Sequence, residues 1–159
     1  MQLSKHFKLE EFTKSMTAIR KGIKNEAGSG EIKNLTDVCY GVLEPVRAKF
    51  DKPVIVTSGY RSPELCEAIG SKSTSQHAKG QAVDFEFAGV SNLQVALWIE
   101  NNCDFDQLIL EYYTGEANSG WIHCSFVEGS NRKQVLTYDG KQFTNGLPDA
   151  KWSGGKLQN

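Results

Sequence analysis

From Glu31 to Phe50 the apolar residues Ile32, Leu35, Val38, Cys39, Val42, Leu43, Val46 and Phe50 keep the 3.6-residue period of one helix face. They predict a long amphipathic helix, kinked near Pro45, where the missing N–H breaks the ladder. Leu9, Phe12, Met16 and Ile19 show the same spacing upstream, before the break at Ala27-Gly28-Ser29-Gly30. Pro53–Thr57 reads as a short buried strand, and Ser62-Pro63 as a capped helix start with Gly70 as its stop. The pattern then shortens. Ala82–Phe87, Phe105–Glu111 and Trp121–Phe126 are predicted strands, with a helix at Leu93–Ile99 between the first two. Val135–Tyr138 and Gln142–Thr144 flank Asp139-Gly140, a hairpin signal. The expected fold is α+β, with N-terminal helices packed on one face of a small antiparallel β-sheet. One domain is expected over residues 1–145, followed by a polar tail over 146–159.

Composition narrows the function classes. The 159 residues carry 18 Lys+Arg against 19 Asp+Glu, a formal charge of −1, which argues against a nucleic-acid groove. No apolar run is long enough to span a membrane. The N-terminus lacks an apolar stretch followed by a small-residue cleavage site, so the expectation is a chain made in the cytoplasm without a signal peptide. Cys39, Cys66, Cys103 and Cys124 are scattered among apolar neighbours, with no CxxC pair. They are read as free, buried thiols.

Two strands carry polar side chains opposite an apolar face. Alternation sends Val83, Phe85 and Phe87 one way and Asp84 with Glu86 the other. In the later strand Ile122, Cys124 and Phe126 face inward, and His123 faces away with Trp121 and Ser125. His77 precedes Asp84, with Gly80 between them to turn the chain. Two histidines and a carboxylate on rigid supports suit a tetrahedral zinc with one open position. From spacing alone, two unrelated surface histidines and an exposed carboxylate fit equally well.

The surrounding residues tip that balance. Ser75-Gln76-His77-Ala78-Lys79-Gly80-Gln81-Ala82-Val83-Asp84 fits S-x-H-x-x-G-x-A-x-D, Trp121-Ile122-His123 supplies W-x-H, and Ser58-Gly59-Tyr60-Arg61-Ser62 supplies an S-G-Y-R-S turn. Together they resemble the zinc D-alanyl-D-alanine carboxypeptidase family of murein peptidases, which shares its fold with the Hedgehog signalling domain. The resemblance runs from about Phe7 to Phe126, and Glu11-Phe12, Asn34-Leu35 and Leu43-Glu44-Pro45 also belong to it. It implies one Zn2+ per chain, held by His77, Asp84 and His123, and peptidoglycan stem peptides or cross-links as substrate. Carboxypeptidase and endopeptidase action both fit. The chain departs from one branch of the family, in which an acid stands three residues before the second histidine, because Gly120 occupies that place.

Zinc hydrolysis needs a carboxylate to move the water's proton to the leaving amine. Glu111 is the candidate, since it ends a strand whose hairpin return is Trp121–Phe126. If Ile109 or Glu111 lies beside His123, the carboxylate shares the zinc face. Of the other nearby acids, Asp106 sits at the strand's start, Glu116 in a polar loop read as mobile, and Glu128 beyond the His123 strand. Arg61 is expected to hold a substrate carboxylate or developing oxyanion with paired donors, the plain alternative being an ion pair with a nearby acid. Ser75 and Gln76 are candidates to orient substrate or the first ligand, and Trp121 to contact substrate or pack beneath the site. His6 is read as a surface histidine. A monomeric, phage-type lytic enzyme released onto the cell wall is the expected setting. The alternative is a non-catalytic, zinc-containing binding module on the same fold, which could lose the acid a hydrolase keeps.

Overall fold

The computed structural model describes residues 1–148, 151–153 and 156–158. Two short helices open the chain, α1 (Leu9–Thr13) and α2 (Met16–Lys21). The spacing of Leu9, Phe12, Met16 and Ile19 is not one helix face: Phe12 is fully buried, whereas Met16 and Ile19 are 60% and 69% exposed. Lys14 and Ser15 are extended, and the Ser15 hydroxyl accepts from the Ala18 N–H to start a second helix. The long periodic segment forms α3 (Ser29–Val38), a π-helical turn (Cys39–Leu43) and α4 (Glu44–Phe50). The kink expected near Pro45 is this turn. Pro45 has no N–H for the Gly41 carbonyl, and the Glu44 N–H reaches back to Cys39 instead. Leu35, Val38, Cys39, Val42, Leu43 and Val46 are all fully buried along it, as the period required.

The remaining elements are β1 (Val54–Ser58), α5 (Pro63–Ala68), a 3₁₀ turn (Gln76–Lys79), β2 (Ala82–Phe87) and α6 (Asn92–Asn102). They are followed by β3 (Gln107–Glu111), β4 (Trp121–Ser125), β5 (Gln134–Tyr138) and β6 (Phe143–Asn145). β1 to β6 form one six-stranded sheet in the order β1-β2-β4-β3-β5-β6. Val83, Phe85, Leu108, Leu110, Ile122 and Cys124 point from it into the core that α3, the π turn, α4 and α6 cover. The fold is α+β, as expected. The four cysteines are buried and free.

The sheet is not wholly antiparallel, because β5 runs parallel to β3. β4 ends, and β5 begins, beside Gln107, so the chain only has to cross the end of β3. Asp106 pins that crossing: its carboxylate accepts from the Arg132 backbone N–H and from Arg132 Nε and Nη2 at 3.1, 3.0 and 2.8 Å. Strands β7 (Lys151–Ser153) and β8 (Lys156–Gln158) pair with each other within the stretch expected to be a plain polar tail.

Candidate metal centre

His77 comes from the 3₁₀ turn, Asp84 from β2 and His123 from β4. Asp84 and His123 are direct cross-strand partners, and neither lies on the core face. The turn owes its shape to its ends. The Ser75 hydroxyl accepts from the His77 N–H, and Gly80 closes it at φ +72°, where an added Cβ would meet the Glu31 carbonyl oxygen at 2.5 Å. Three potential ligand atoms, one from each residue, lie within 4.8 Å of one another.

His77 Nδ1 is 2.7 Å from the Gly59 carbonyl oxygen. A carbonyl only accepts, so this nitrogen carries the hydrogen and Nε2 keeps its lone pair. Asp84 Oδ1 is 3.5 Å from His77 Nε2 and 3.0 Å from His123 Nδ1. Two ligands held at ~2.0–2.1 Å by a tetrahedral ion stand ~3.4 Å apart, so the donor set fits zinc in chemistry, and the spacing of each histidine from Asp84 fits it too. The other Asp84 oxygen is 3.3 Å from Arg61 Nη2, while Arg61 Nε donates to Ser58 Oγ at 2.9 Å. Burial alone would raise the Asp84 pKa, but contacts from His123 and His77 override it and hold the carboxyl well below the usual range. Burial pushes the His77 pKa down, which keeps the imidazole neutral and able to bind a cation.

Glu111 satisfies the register condition. Ile109 lies opposite His123 and Glu111 opposite Trp121, while Leu108 and Leu110 turn into the core. The carboxylate therefore lies on the metal-centre face. Burial raises its pKa, and the nearby Asp84 charge adds to the rise. Trp121 Nε1 opposes that rise, and it is buried with no hydrogen-bond partner of good geometry among the described residues. Gly120, at φ +66°, can bear no side chain: an added Cβ would sit 2.0 Å from the Glu111 carbonyl oxygen. The glycine that displaces one branch's acid thus lets the chain fold tightly against Glu111.

The other acids are committed elsewhere. Asp106 serves Arg132 and accepts from Gln76 Nε2 at 2.9 Å, so the Gln76 amide steadies the turn that carries His77. Glu128 pairs with Lys33 at the surface. Glu116 is exposed, in a loop whose far end is held by buried Asn92, which donates to the carbonyls of Ser119 and Gly120. Asn92 is a support that no sequence pattern marked, and the S-G-Y-R-S turn marked Gly59 without disclosing that its carbonyl holds His77. Arg61 also lines a cavity of about 680 Å³ with Lys14, Met16, Val56 and Ile69, whose lining includes none of His77, Asp84, His123 and Glu111. His6 is exposed beside Glu44, away from this centre.

No curated protein matches the chain. The family model for peptidase M15 matches residues 5–125, a stretch holding His77, Asp84, His123, Arg61 and Glu111. With most of its length matched, and its His-Asp-His cluster inside that match, the chain belongs to the peptidase M15 family.

Proposed function

We propose that the protein is a zinc-dependent peptidase that hydrolyses peptidoglycan stem peptides, at a terminal D-alanine or at a cross-link. The observation that carries this reading is the His77-Asp84-His123 cluster, with two members buried and His123 half-buried, and Glu111 on the same sheet face. Bound there, zinc would supply Lewis acidity to a scissile carbonyl and lower the pKa of a water molecule towards ~7. Glu111 would accept a water's proton on a carboxylate oxygen and return it to the leaving amine. Burial around the Glu111 carboxyl favours its protonated form, which suits a group that carries a proton from one partner to another. Arg61 keeps Asp84 in place with Nη2, and the N–H donors it does not use on Asp84 and Ser58 suit a substrate carboxylate or carbonyl. Gly59 fixes the His77 ring, and Ser75 with Gln76 fixes the turn beneath it.

A binding module would not need a part-buried carboxyl on the face of the ligands, so the acid favours hydrolysis. Elemental analysis of protein purified without added metal tests the foundation. It should find close to one zinc per chain, and His77→Ala or His123→Ala should each remove most of it while circular dichroism shows a folded chain. Full zinc occupancy in both variants would refute the ligand assignment.

A further inference from the structure

The row of the sheet that contains Glu111 continues past the matched family region. Glu111 pairs with Trp121 on one side and Tyr138 on the other, and Tyr138 pairs with Phe143. Directly paired residues share a face, so Trp121, Glu111, Tyr138 and Phe143 form one transverse row on the metal-centre side. Tyr112, turned back at φ +57°, fills the gap: its ring lies 4.9 Å from Trp121 and 5.6 Å from Tyr138, which stacks on Phe143 at 4.4 Å. The result is an aromatic ledge leading away from the catalytic carboxylate. Tyr112 is 43% and Phe143 58% exposed, so the ledge presents ring surface to solvent. Asn145, also exposed, shares the Phe143 face and brings amide donors and acceptors beside the rings.

We infer that this ledge binds the glycan strand from which the stem peptide hangs, with pyranose C–H faces resting on Phe143 and Tyr138 and hydroxyls bonded by Asn145. The inference rests on the peptidase reading above and adds a second half to its substrate. Three features select a sugar. The ledge is continuous with the face that carries Glu111 and His123. Beyond Glu111 its row consists of flat rings, with the neutral amide of Asn145 beside them. Its distance also fits: strands stand ~4.8 Å apart, so Phe143, three strands from β4, is about 14 Å from the metal-centre strand. A stem peptide of a few extended residues, at ~3.5 Å each, covers about 10–14 Å between its scissile bond and its sugar. Tyr138 and Phe143 lie beyond residue 125, where the family match ends, so this would be an addition of this chain to the shared fold.

The test uses the full chain and two kinds of probe. Peptide-free strands of alternating N-acetylglucosamine and N-acetylmuramic acid should bind and shift the amide NMR signals of residues 138–145. Phe143→Ser and Tyr138→Leu should each weaken that binding by a few-fold to about tenfold, the scale of one aromatic face. In kinetics, a stem peptide attached to its disaccharide should show a lower KM than the free peptide, and Phe143→Ser should erase the difference. The binding arm needs no turnover: if glycan binds but no stem peptide is cut, the peptidase reading fails and the ledge stands. If stem peptides are cut but glycan does not bind, or both variants bind it as the native chain does, the ledge proposal is overturned. It is equally overturned if Phe143→Ser instead abolishes a concentration-dependent dimer and the native chain leaves glycan unbound.

Discussion

Asp106, just before β3, and Glu111, at its end, are carboxylates at opposite ends of one strand with opposite surroundings. Asp106 is 4% exposed and receives a two-pronged Arg132 guanidinium, the Arg132 N–H and the Gln76 amide, and its pKa is lowered to about 2. Glu111 has no such partner, and burial drives its pKa up. The difference separates a structural carboxylate from a chemical one. Asp106 spends its charge holding the β4–β5 crossing and the His77 turn together. Glu111 keeps a proton-accepting oxygen free beside the candidate metal ligands.

The sharpest way to break this division is Glu111→Gln, which should keep fold and zinc while stem-peptide cleavage falls by roughly 10²–10⁴-fold, the usual scale for a positioned acid/base. Steady-state kinetics on a zinc-loaded variant give the number, and near-native turnover would return Glu111 to the role of a strand-end residue. Arg61→Lys should come next, losing roughly 10–10²-fold in kcat/KM with zinc retained, because an ammonium cannot hold Asp84 and a substrate group with one planar fork. Unchanged kcat/KM would leave Arg61 as a partner of Asp84 alone.

The smallest effect belongs to Asp106 and shows in stability. Its folded-state pKa, about 2, is depressed from the ordinary 3.8, so the stabilisation is fully present above pH ~4 and fades as pH falls through about 2. That window corresponds to roughly 2 kcal/mol. Urea unfolding of Asp106→Asn should show a deficit of this order at pH 7 that narrows toward pH 2. A deficit independent of pH would mean that the charge contributes nothing.

What the sequence disclosed follows from range. Strand alternation placed Val83, Phe85, Ile122 and Cys124 in the core and left Asp84 and His123 on the far face, because a two-residue period is local. The buried face of α3 to α4 was legible for the same reason. The parallel pairing of β5 was not, since it depends on Arg132 reaching Asp106 across 26 positions with no periodic trace. The split between α1 and α2 turned on Lys14 and Ser15, where a local cap outweighed apolar spacing. The Gly59 carbonyl that orients His77 was equally silent, because any residue type supplies a backbone oxygen. Glu111 was legible only conditionally: the acid was visible, but the register that put Ile109 opposite His123 was not.

The central claim is zinc-dependent cleavage within stem peptides, and mass spectrometry of purified peptidoglycan fragments after digestion tests it most directly. The account predicts new peptide termini within the stem or its cross-link, lost when the protein is stripped by a chelator and restored by added zinc. Fragments left intact by the zinc-loaded protein, or cut equally well after the metal is removed, would contradict it.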